Sequence, residues 1–113
     1  MGGTLQAQLF LHELIKLLDE GRVRLQPRNP KTWEFMAEHD LREEDVLALC
    51  REIKEDQYQW GPEKDINGTS GNVMLFFLPW QGMLLYMKIK TWVNDKGKRG
   101  AVISFHEEGM HDA

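Results

Sequence analysis

Cysteine occurs once in these 113 residues, at Cys50. One thiol makes no intramolecular disulfide and no thiolate-rich zinc site, so a reducing compartment, the cytoplasm, is expected. No apolar run approaches the roughly 20 residues needed to span a bilayer, so no membrane partner is expected. No positive stretch leads into an apolar one in the first residues, so no secretory signal is expected. The chain also lacks a Gly-rich phosphate loop, a His-Glu-x-x-His pair and a Gly-x-Ser-x-Gly elbow. No metal and no cofactor is therefore expected. Internal repeats and low-complexity tracts are absent as well, and the length suits one domain, 1–113.

Basic residues are in the minority, 14 against 18 acids, for a net charge of −4. Their distribution is uneven. Residues 34–65 carry eleven acids and four bases, whereas residues 86–100 carry five bases and one acid. Arg22, Arg24, Arg28 and Lys31 form a second basic stretch. An electropositive surface on an acidic molecule follows only if these stretches meet in space.

Periodicity divides the chain into a helical part, about 5–58, and a β meander, about 72–106. Leu11, Leu14, Ile15 and Leu18 repeat at helical spacing and predict a helix over 5–19 that stops at Gly21. Residues 22–26 read as a short strand or an extended connector. Asn29 with Pro30 marks the start of a short helix carrying Trp33, Phe35, Met36 and Ala37, with Trp33 expected in the core. Asp40 and Glu43 resemble a capping box before a helix at about 41–54. Val46, Leu49, Cys50 and Ile53 share one face of it, so Cys50 reads as a small buried hydrophobe. Residues 59–71, broken by Gly61-Pro62, read as a loop, and 107–113 as a flexible tail.

Val73 to Leu78 is almost continuously apolar, as in a strand covered on both faces. Pro79–Gly82 is expected to turn the chain back into Met83–Val93. Setting Leu78 opposite Met83 puts Met74, Phe76, Leu85 and Met87 on the core face and Tyr86 and Lys88 on the other. A basic loop, 94–100, then leads to a last strand. With Asn94 facing Gly100, Ile89 meets Phe105 and Lys88 meets His106, with Tyr86 one diagonal step away. The expected fold class is α+β, with N-terminal helices packed on an antiparallel sheet of three or slightly more strands.

Tyr86, Lys88 and His106 would thus share one sheet face. Metal-free RNA cleavage needs a base for the 2′-hydroxyl, an acid for the leaving oxygen and positive charge at the phosphorane. Histidine suits either proton role, lysine or arginine can hold the phosphate oxygens, and tyrosine can donate a hydrogen bond or stack on a base. The same trio also fits an ordinary solvated strand face.

Four stretches occur in a telling order: Gly21-Arg-Val-Arg24, Tyr58-x-x-Gly-Pro-x-x-Asp65, Tyr86-Met-Lys-Ile89 and Val102-Ile-Ser-Phe-His106. Together they resemble the MqsR-type toxins, the motility and quorum-sensing regulator family of toxin–antitoxin systems, over about residues 10–106. The resemblance implies a RelE-like α+β mRNA interferase, a metal-independent endoribonuclease whose partners are mRNA and a cognate antitoxin. It implies functional positions at Tyr86, His106 and Tyr58, and at Gln59. With the chemistry above, the catalytic residues expected are Tyr86, Lys88 and His106: His106 in proton transfer, Tyr86 at the phosphate or a base, Lys88 at phosphates. RNA-binding roles fall to Lys90, Lys98, Arg99, Tyr58 and Gln59. The chain departs from the family's best-known branch in carrying His106 and Gln59 where that branch has lysines. A glutamine expected at the start of the sheet has no match. The rival reading is a non-catalytic module that keeps the fold and binds protein or RNA, with Phe77, Leu84 and Trp80 supplying an apolar surface.

Overall fold

A computed structural model describes residues 4–65 and 71–109. The chain runs α1 (Leu5–Asp19), β1 (Val23–Leu25), α2 (Pro30–Glu38), α3 (Glu43–Cys50), a single 3-10 turn (Glu55–Gln57), β2 (Tyr58–Lys64), β3 (Asn72–Trp80), β4 (Met83–Asn94) and β5 (Gly97–Glu107). The fold is α+β. Its sheet has five strands in the order β1-β5-β4-β3-β2, and it is mixed, because β1 runs parallel to β5.

Each helix begins and ends for a local reason. The Thr4 hydroxyl accepts from the Ala7 N–H at 3.0 Å and caps α1. Gly21, at φ +69°, lets the chain leave that helix and enter β1. Asn29 caps α2 by accepting from the Lys31 N–H at 2.8 Å, with Pro30 at the first helical position. Thr32, Phe35 and Met36 form the buried face of α2, and the Thr32 hydroxyl accepts from the Phe105 N–H at 3.0 Å, which pins the helix to β5. Trp33 lies one step round the helix and is 54% exposed, which corrects its expected core placement. α3 is shorter than expected, and its cap is Arg42, not Asp40. The Asp45 carboxylate accepts from the Arg42 N–H, and Asp40 sits at φ +54°.

All three helices lie on one face of the sheet. Leu14, Leu17, Phe35, Val46 and Cys50 pack there against Met74, Phe76, Met87, Ile89, Val102 and Phe105. The opposite face carries a smaller cluster: Val73, Ala101 and Ile103 with Trp60 and Trp92.

Three expectations about the strands are corrected. Residues 59–64, expected in a loop, form with Tyr58 an edge strand, β2. Pro62 is tolerated because an edge strand need not donate on its outer side. The β3–β4 turn is only Gln81-Gly82, both at positive φ as a type I′ hairpin requires, so Trp80 pairs with Met83 and Leu78 with Leu85. This two-residue slip leaves every side chain on its expected face. The β4–β5 loop is also tighter: Asn94 pairs with Gly97, so Lys98 and Arg99 belong to the strand. A bulge then intervenes. Lys88 pairs with Ser104 and Ile89 with Val102, leaving Ile103 as the extra residue. The shorter turn puts Val102 in the helix-side core and Ala101 and Ile103 on the other face, and the bulge then keeps Phe105 on the helix side and Ser104 and His106 on the open face. Glu107 belongs to β5, and residues 66–70 and 110–113 of the expected loop and tail lie outside the described residues.

Candidate functional site

The helix-free face of the sheet holds the three residues singled out from sequence. Tyr86 pairs directly with His106 across β4 and β5, where a diagonal relation was expected. Their rings stack with centroids 4.7 Å apart and planes 10° apart. The bulge at Ile103 and the tighter β4–β5 turn together set this register. His106 Nδ1 lies 2.8 Å from the Glu107 carbonyl oxygen. A carbonyl only accepts, so this contact assigns the proton to Nδ1 and leaves Nε2 as the basic nitrogen of the neutral ring. His106 is nevertheless only 4% exposed, whereas Tyr86 and Lys88 are half-buried.

Lys88 occupies the next outward position on β4, opposite Ser104 and about 7 Å along the ladder from the Tyr86–His106 pair. Its ammonium lies 5.5 Å from the centroid of Trp60 and 5.7 Å from that of Tyr86. Both are cation–π contacts. Among the described residues it has no carboxylate partner.

Beside Lys88 opens a pocket of about 330 Å³, lined by Arg28, Asn29, Trp60, Lys64, Lys88 and Ser104 among others. Its deep wall is built on Asp65. The Asp65 carboxylate accepts from both ends of the Arg28 guanidinium, with Nη1 at 2.8 Å from Oδ1, and pairs with the Lys90 ammonium at 2.7 Å. These hydrogen bonds push the Arg28 pKa further up. Arg28 reaches the site because residues 26–28 continue beside β5, with the Arg28 N–H donating to the Ile103 carbonyl at 3.1 Å.

The residues expected to bind RNA are therefore dispersed. Lys90 is 5% exposed and committed to Asp65, so it is not a surface cation. Arg99 pairs with Trp92 and shares its face, whereas Lys98 pairs with Val93 and points to the opposite one. Tyr58 packs on Phe76 on the helix side, and its hydroxyl donates to the Gly61 carbonyl at 2.6 Å. Gln59 is exposed and donates to the Gln57 carbonyl at 3.3 Å. Trp80, expected beside Phe77 and Leu84, packs near Phe35 and His39 on the helix side.

Sequence reasoning missed Trp60, Asn29, Ser104 and the Arg28–Asp65–Lys90 cluster. The Tyr58-x-Trp60 spacing gave no usable signal, because a register shift between the two residues turns Trp60 to the face opposite Tyr58. Among the described residues no cluster of His, Cys, Asp and Glu could hold a metal ion, and no helix is long and apolar enough to cross a membrane. No family model, curated protein or solved structure matches this chain. What the fold and site define is thus an α+β domain with one helix-covered sheet face and one that carries an aromatic and cationic site.

Proposed function

We propose that this protein is a metal-independent endoribonuclease of the MqsR-type toxin class, acting on mRNA in the cytoplasm and restrained by a cognate antitoxin. One observation carries the reading: Tyr86, Lys88 and His106 lie on one sheet face, with the phenol stacked on the imidazole and a carboxylate-free ammonium one ladder step away. Tyr86 meets the substrate first. Lys88 holds a non-bridging phosphate oxygen, and His106 Nε2 exchanges the proton from behind the phenol.

Purified protein should cut single-stranded RNA in the presence of EDTA. Tyr86→Phe, Lys88→Met and His106→Ala should each slow the reaction by about 100-fold or more. Unchanged cleavage by the His106→Ala, Tyr86→Phe double variant would remove the assignment.

A second reading is favoured by the low exposure of His106. In a non-catalytic binding module the imidazole is a stacked structural group, and RNA remains intact under every buffer condition.

A further inference from the structure

The pocket beside Lys88 has a composition that the cleavage chemistry does not require. Trp60 forms an aromatic wall, and Asn29 and Ser104 add hydrogen-bonding side chains. Lys64 and Lys88 are cations on its lining, and neither has a carboxylate partner among the described residues. Arg28 and Lys90 both pair with the Asp65 carboxylate. Glu63 is the other acid on the lining and is exposed. On a molecule of net charge −4 this pocket is a local electropositive site.

An aromatic wall, amide and hydroxyl groups and unneutralised cations together suit a flat, polar, anionic ligand. A volume of about 330 Å³ lies at the small end of small-molecule sites, which suits one nucleotide and excludes a base pair. We infer that this pocket takes a single unpaired ribonucleotide, its base stacked on Trp60 and read by Asn29 and Ser104, its phosphate held by Lys88 and Lys64. The inference rests on the RNA reading above and extends it. The Lys88–Ser104 pair adjoins the Tyr86–His106 pair on the ladder, so the pocket holds the nucleotide next to the scissile phosphate and sets the sequence preference.

The test is a titration followed by the NMR signal of the Trp60 indole N–H, assigned with Trp60→Leu. The probes are the four 5′-ribonucleoside monophosphates, ribose 5-phosphate, inorganic phosphate and a mixed-sequence RNA hexamer. The His106→Ala, Tyr86→Phe protein is used for the hexamer so that it stays whole. Nucleotides should shift the Trp60 signal saturably and bind about tenfold or more tighter than ribose 5-phosphate. The hexamer should bind tighter still. The exposed substitution Lys64→Glu should weaken all of them severalfold and keeps the test available if Trp60→Leu fails to fold. Equal binding of nucleotides and ribose 5-phosphate, or nucleotide binding that leaves Trp60 unmoved, would overturn the assignment. So would no binding at all. Nucleotide binding without RNA cleavage upholds the pocket and removes the nuclease reading. RNA cleavage with the same site preference in wild type and Trp60→Leu does the reverse.

Discussion

Asp65 is the residue on which the open face of the sheet depends. Its side chain is 2% exposed and balances two cations, one of them the nearly sealed Lys90. Removing one member of a buried ion pair costs more than the pair is worth, because a desolvated charge is left behind. Asp65→Asn should therefore lower stability by about 3 kcal/mol, read from the urea midpoint. Adding Lys90→Met to it should return much of the loss, since the stranded charge is then gone. Cys50 illustrates the opposite case, a group that interacts with nothing charged. Burial pushes its thiol pKa up to about 12. Ellman's reagent at pH 8 should accordingly label Cys50 no faster than the protein unfolds, and at the normal thiol rate in urea. The sequence placed Cys50 correctly because its helical spacing with Val46, Leu49 and Ile53 is local information. Nothing local pairs residue 65 with residues 28 and 90, so that ion cluster was not legible.

At the scale of elements, alternation along β4 identifies its two faces. A slip of two residues in the β3–β4 hairpin does no harm, because side chains repeat with that period. The bulge in β5 is different. Val102, Ile103 and Ser104 all read as ordinary strand residues, and no glycine marks the extra one. The bulge changes which of them face outward, and together with the tighter β4–β5 turn it brings Tyr86 directly against His106. β2 escaped notice for a related reason: Gly61-Pro62 is a breaker in isolation but acceptable at a sheet edge. Its glycine is obligatory. Gly61 has φ +111°, and a Cβ there would lie 2.5 Å from the Val73 carbonyl oxygen and 2.9 Å from the Met74 Cα. Both obstacles are backbone, so neither yields easily. Gly61→Ala should cost about 2 kcal/mol or more in a denaturant titration. It should also disturb Trp60, one residue away, and with it the pocket wall.

For the molecule as a whole, the helical layer also has to be joined to the outer edge of the sheet, where β1 contributes only three residues. Glu43, the first residue of α3, bridges the two. Its carboxylate accepts from Arg24 Nε at 2.9 Å and from the Leu25 N–H at 2.8 Å. The hydrogen bond from Arg24, aided by that from the Leu25 backbone, holds the Glu43 carboxyl below its usual range. The sign of the consequence follows from proton linkage. A carboxyl with a depressed folded-state pKa binds fewer protons folded than unfolded, so its contribution is complete above about pH 4.5 and disappears as pH falls through the folded value. Glu43→Gln keeps an oxygen for Leu25 but removes the charge. Its urea midpoint should fall below that of the wild type at pH 7, and the two curves should converge as pH falls through the depressed folded-state value of the Glu43 carboxyl. High salt should narrow the gap at pH 7, since the Arg24 side of the bridge faces solvent and is screened. A gap that persists unchanged as the acid limit is approached would mean that Glu43 supports the edge through packing and not through its charge.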